Sequence, residues 1–282
     1  NMTAFQNRGV KRDGAHFAGQ APAGMFAAAG RWTIASVLGF VRFVDIAVAV
    51  LWQSCRPLTW RRTVRAEFFQ QCHLVGLRAL PFILITGSLV GLGMVYQAIY
   101  WLGVFGQTEF TGPILVLVLV REVAPLFVAL TVIGRSGSVI LVELGNMQID
   151  GQVRMLDAQG IDPFLFLIVP RVVAVAVSMF SLTIAFIMFA LVSGFLTGNA
   201  LGSLNVTLQE FVFRILSEMG LADFATIPLK SFFIGFVVAL IACTTGLSVN
   251  RSRSDLLAAL SRGVTKSVLA ALLISGLLTL LL

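Results

Sequence analysis

Between Arg121 and Arg171 an apolar chain carries side chains for which a plain lipid anchor has no use. They are Arg121, Glu122 and Pro125, then Gly134-Arg135-Ser136-Gly137-Ser138, Glu143-Leu144-Gly145-Asn146-Met147, Asp162-Pro163 and Pro170-Arg171. An ionisable group inside a bilayer costs roughly 2.5–3.5 kcal/mol on insertion scales, so it is kept where it pairs or lines a pathway. Arg121 and Glu122 are adjacent, so on a helix they point about 100° apart and do not satisfy each other. Each needs a partner on another helix, or water, and Lys230 is one candidate for Glu122. Two readings are open: a buried ion pair that holds helices in register, or a charged step in a transport pathway. Pro125 weakens the backbone ladder beside the charges, as breaks do in transporters and in membrane helices at large.

Elements long enough to hold such groups in a membrane are plain from composition. The 282 residues are 58% hydrophobic and 12% charged, with a mean hydropathy of +0.95. A soluble domain carries about twice that charged fraction. The net charge of +7 could suggest nucleic acid, but its placement speaks for a membrane. Arg8, Lys11, Arg12, Arg31, Arg42, Arg56, Arg61, Arg62, Arg65 and Arg78, half of the twenty basic residues, precede the first clear span. That is the positive-inside pattern of a cytoplasmic N-terminus, and no nucleic-acid partner is expected. Cys55, Cys72 and Cys243 are scattered without a CxxC, and His16 and His73 are the only histidines, so neither disulfides nor a metal site is indicated. The first 23 residues are polar with no apolar core, so a cleavable signal peptide is not expected.

Residues 1–23 read as a flexible tail and 24–64 as an interfacial helix region. The apolar stretch 32–52 is long enough to cross, but Arg42 and Asp45 sit at its centre and both flanks are basic. Both ends favour the same face, which places it in the interface. Five spans follow within 65–282, at about Leu80–Phe105, Pro113–Ile133, Pro163–Phe195, Ile227–Ser248 and Val264–Leu282. Gly87 and Gly91 give the first a GxxxG spacing for close helix approach. The loops 134–171 and 249–266 are basic, whereas 106–112 holds no basic residue and 199–226 only Arg214. The expected fold is an all-α integral membrane protein, an interfacial helix plus five spans, with its C-terminus on the outer side.

A cytoplasmic helix is expected at about Asn146–Gln159. Ile149, Val153 and Leu156 recur at helical spacing while Asp150, Gln152, Arg154 and Asp157 face away. Such a helix docks in a partner's groove or serves as a solvated connector. No GxxxxGK[ST], HExxH or GxSxG occurs, so neither ATP binding nor a catalytic group is expected of this chain.

These motifs, in this order, resemble the MlaE/YrbE permeases over about residues 65–275, and Lys230-Ser231 with Gly235, Cys243 and Gly246 matches as well. Those permeases are the membrane subunits of MCE-type ABC transporters, which move phospholipid between the bacterial inner and outer membranes. The resemblance implies an inner-membrane homodimer. It also implies two cytoplasmic ATPase subunits that bind the ATP, docked at Asp150, Gln152, Arg154, Leu156 and Asp157, and a periplasmic MCE-domain hexamer. Phospholipid would occupy an outward-open cavity lined by Met94, Trp101, Leu102 and Phe105, with Arg121, Glu122 and Lys230 at its border. Two departures stand out. Gly151-Gln152 replaces the usual Glu-Gln of the docking helix, and Arg251-Ser252-Arg253-Ser254 replaces a glycine-rich stretch before span five. A proton-driven lipid carrier using Arg121, Glu122 and Lys230 is the alternative, and a non-transporting scaffold is a third.

Overall fold

The computed structural model describes residues 41, 43–54, 62–106, 111–200, 207–249 and 252–281. The chain divides into two units, Asn1–Val48 and Ala49–Leu282. The expected tail at 1–23 and most of the expected interfacial region lie outside the described residues. Within that region a short apolar helix, α1, runs Phe43–Ser54.

The five expected spans are present as helices long and apolar enough to cross a membrane. They are α2 (Val64–Val104), α3 (Gly112–Ile149), α5 (Phe164–Ala200), α7 (Leu221–Leu247) and α8 (Arg253–Leu281). A short α4 (Gln152–Ala158) joins α3 to α5, and α6 (Leu208–Glu218) precedes α7. No strand occurs among the described residues. The fold is all-α, as expected.

The first and last spans begin earlier than expected, at Val64 and Arg253 where the sequence reading had Leu80 and Val264, and three further boundaries differ. The expected loop after Ile133 is helical as far as Ile149, because Arg135 and Glu143 find partners on neighbouring helices and Gly145 lies close against Leu256 and Gly246. At 1.5 Å per residue α3 is ~57 Å long, nearly twice a bilayer's hydrocarbon thickness. Next, Asn146–Gln159 is two pieces. Gly151 sits at φ +75°, a left-handed geometry that glycine adopts without a Cβ penalty, and it breaks the helix after Asp150. Last, the expected outer loop at 199–226 contains α6. Thr207 starts it, its backbone N–H bonded by the Glu210 carboxylate at 3.0 Å.

α2 packs along α5, α7 lies between α5 and α8, and the second half of α3 rests on α7 and α8. Gly91 permits the α2–α5 approach, since a Cβ there would stand 2.1 Å from the Ala190 carbonyl oxygen. Phe186, Leu119, Leu144, Met179 and Ile234 are fully buried between the helices. The outer surface shows Leu89, Val104, Leu196 and Leu273, as a lipid-facing surface should. Among the described residues, four π-helical stretches interrupt the α-helical ladder, at His73–Leu77, Leu115–Val123, Ile133–Gly137 and Phe164–Ile168. Such stretches recur at functional positions.

Candidate functional site

Arg121 and Glu122 lie in the last turn of the π-helical stretch of α3, about 14–15 Å along the helix from Gly112. Pro125 has no N–H to give the carbonyl four residues back, which is that of Arg121. The Lys230 ammonium takes that carbonyl instead, donating to Arg121 O at 3.0 Å. Lys230 also donates to Glu122 Oε1 at 2.9 Å and to Thr279 Oγ1 at 2.9 Å. An ammonium has three protons, so all of its donors are used. Lys230 is 3% exposed, and this saturation is what allows a lysine to be buried there.

The other oxygen of Glu122 accepts from Ser275 at 3.2 Å. The Thr279 hydroxyl faces both Glu122 Oε1 and Ser275 O, and its single proton serves one of them at a time. Arg121, pointing elsewhere as adjacency requires, pairs with Asp223 Oδ2 at 2.7 Å. The same oxygen accepts the Gly220 N–H at 2.9 Å, so Asp223 both starts α7 and holds Arg121. Two helical spacings build the set. Asp223 and Lys230 are seven apart on α7, and Ser275 and Thr279 are four apart on α8, so each pair shares a face. A cavity of about 140 Å³ opens among Arg121, Glu122, Asp223, Lys230 and Thr279, with Ile227 and Leu278 as apolar wall.

A second charged cluster lies 21 residues further along α3, ~31 Å away by helix rise. Arg171 of α5, 3% exposed, reaches Glu143 of α3 at 2.7 Å and Glu67 of α2 at 3.3 Å. Gln71, one turn after Glu67, donates to the Glu67 carboxylate at 2.9 Å. Arg171 also donates to Leu167 O at 3.3 Å.

The structure therefore brings Arg121, Glu122 and Lys230 together, and brings in Asp223, Ser275 and Thr279, which the sequence reading did not single out. The spacing of two hydroxyls on the apolar α8 was the available signal. The four apolar candidates stand apart from this cavity. Trp101 and Phe105 at the end of α2 are 50% and 69% exposed, and their rings stack at 6.4 Å. Met94 and Leu102 are half-buried on the same helix, and none of the four lines the cavity. Of the docking candidates, Asp150 caps α3 and is exposed, as are Gln152, Arg154 and Asp157, while Leu156 is half-buried. No residue of α4 is buried, so its surface is open to a partner.

Residues 68–281 match the family model described as Permease MlaE. A probable ABC transporter permease protein of Synechocystis sp. is 29% identical over 209 residues, 74% of this chain and 79% of that protein. Protein TRIGALACTOSYLDIACYLGLYCEROL 1, chloroplastic, of Arabidopsis thaliana is 27% identical over 217 residues, 77% of this chain but 57% of that longer protein. The intermembrane phospholipid transport system permease protein MlaE of Haemophilus influenzae is 33% identical over 129 residues, 46% of this chain and 49% of that protein. The family match contains the Lys230 cluster, the Arg171–Glu143 pair and all five spans from Phe68 onward, and the chain belongs to the MlaE permease family.

Proposed function

We propose that this chain is the permease subunit of an ABC transporter that moves phospholipid between the inner and outer membranes of a bacterium. In this reading it works as a homodimer in the inner membrane, with its N-terminus cytoplasmic and its C-terminus periplasmic. Two ATPase subunits bind and hydrolyse ATP on the cytoplasmic side, and an MCE-domain protein receives or delivers lipid in the periplasm. The relatives' names support the cargo and the transporter class. The observation that carries the reading on this chain is the saturated Lys230–Glu122 pair beside Arg121–Asp223, opening on a cavity within a membrane-length helix bundle. These groups border the headgroup path, and Met94, Trp101, Leu102 and Phe105 supply an apolar wall for acyl chains. The exposed polar side of α4, with Asp150 and Leu156 beside it, is the ATPase dock.

The test is reconstitution of the chain with its ATPase and MCE-domain partners in vesicles carrying fluorescent phospholipid. ATP should drive lipid movement, and charge reversal at Arg154 or Asp157 should remove the co-purifying ATPase while the chain still inserts. Movement driven by a pH gradient without the ATPase would replace this reading with the proton-driven one. A complex that assembles but moves no lipid under either drive would make the chain a scaffold.

A further inference from the structure

A second cavity of about 140 Å³ lies between α2 and α3, lined by Gln71, Arg78, Arg135, Ser136, Val139 and Glu143 among others. Two of the π-helical stretches meet there. His73–Leu77 lies between Gln71 and Arg78, and Ile133–Gly137 contains Arg135 and Ser136. Extra residues in these turns re-aim the side chains around them, and here both turns bring an arginine to one cavity. Arg135 donates to the Arg78 backbone carbonyl, which ties the two helices and fixes one guanidinium at the rim.

The charge balance is uneven. Both arginines are exposed, and among the described residues neither has a carboxylate within ion-pair distance. Glu143 is the acid in the lining, and it is already engaged by Arg171 at 2.7 Å. The lining thus sets two guanidinium groups against the single carboxylate of Glu143, with a buried Ser136 and the second N–H of the Gln71 amide beside them, a donor-rich set suited to a phosphate. Its depth points to the source of that phosphate. Arg135 lies ~35 Å along α3 from Gly112, just beyond the hydrocarbon thickness, where headgroups sit. Leu77 and Val139 beside the arginines are 64% and 61% exposed, so acyl chains have apolar side chains to lie on.

We propose that this cavity binds the phosphate of an anionic phospholipid from the leaflet at that end of the bundle, as a site separate from the Lys230 cavity. The proposal does not depend on which partners drive transport. The full chain, purified and placed in vesicles, would carry a photo-crosslinker at Val139 and be offered phosphatidylglycerol or phosphatidylcholine. Capture should favour phosphatidylglycerol several-fold, fall about tenfold in R78Q/R135Q, and return in R78K/R135K. Equal capture of the two lipids by the unsubstituted chain would overturn the proposal, even if the glutamine variant failed to fold. So would unchanged capture by a folded R78Q/R135Q protein. If excess inorganic phosphate blocks capture and raises the melting temperature as much as phosphatidylglycerol does, the site takes a free anion and the lipid assignment falls.

Discussion

Around Arg171 one cation faces two carboxylates, Glu67 and Glu143, whereas around Lys230 two cations, Lys230 and Arg121, face two carboxylates, Glu122 and Asp223. The Arg171 set carries one net negative charge, and Glu143 is 45% exposed, so water shares its solvation. The Lys230 set is neutral, and its ammonium has every proton taken by a named oxygen. Arg171 and Arg121 each leave a buried Nε without a partner among the described residues, so the two sets do not differ in this respect. The Arg171 cluster ties α2, α3 and α5 together, and only its Glu143 and Gln71 reach the second cavity while Arg171 itself lines none. The Lys230 cluster ties α3, α7 and α8 and stands open to one. In one place the buried cation is sealed among its partners as a clasp, and in the other both cations stand in the wall of a chamber.

The contrast can be broken most forcefully at Arg171. Arg171→Met strands two carboxylates, and breaking a buried pair this way costs about 3–5 kcal/mol, less here in proportion to the exposure of Glu143. A large drop in melting temperature in detergent is expected, and a wild-type melting curve would show that the cluster is no clasp. Lys230→Met strands one carboxylate that still has Ser275 and Thr279, so the loss should be about 1–3 kcal/mol. Lipid transport should nonetheless fall more than tenfold. The double variant Lys230→Met/Glu122→Gln sharpens the point, since removing both charges should restore most stability but not transport. Recovery of both together would reduce the pair to a helix register device.

Asp223→Asn keeps an oxygen for the Gly220 N–H but removes the negative charge that pairs with Arg121. Because the Arg121 side chain is 42% exposed, about 1 kcal/mol or less should be lost. Transport kinetics would show whether a freed Arg121 alters lipid handling. The smallest effect is expected from Thr279→Val, which takes one acceptor from Lys230 and costs about 1 kcal/mol. A Thr279→Val protein as damaged as Lys230→Met would mean that the hydroxyl, and not the charge pair, organises the chamber.

Much of this was legible in one dimension. Five apolar runs specify five membrane helices, because a backbone in lipid must satisfy its own hydrogen bonds and a helix does so within a single segment. The cost of burying Glu122 obliged a cation to be near, and Lys230 was a sound choice for it. The GxxxG spacing announced a close approach at Gly91, and the weak helix former Gly151 sat where the expected docking helix is in fact broken.

What the tertiary structure decided concerns pairing across sequence distance. Arg121 and Asp223 are 102 residues apart, and Thr279 and Glu122 are 157 apart. Hydropathy reports whether a segment prefers lipid, but it does not say which face of one helix meets which face of another. The same limit explains α3. Apolar content ends the expected span near Ile133, while packing on α7 and α8 and the Glu143–Arg171 pair carry the helix to Ile149. The run of hydropathy determined the class of fold and the need for partners. The packing of five helices chose the partners, because only it sets which buried charges come within 3 Å of each other.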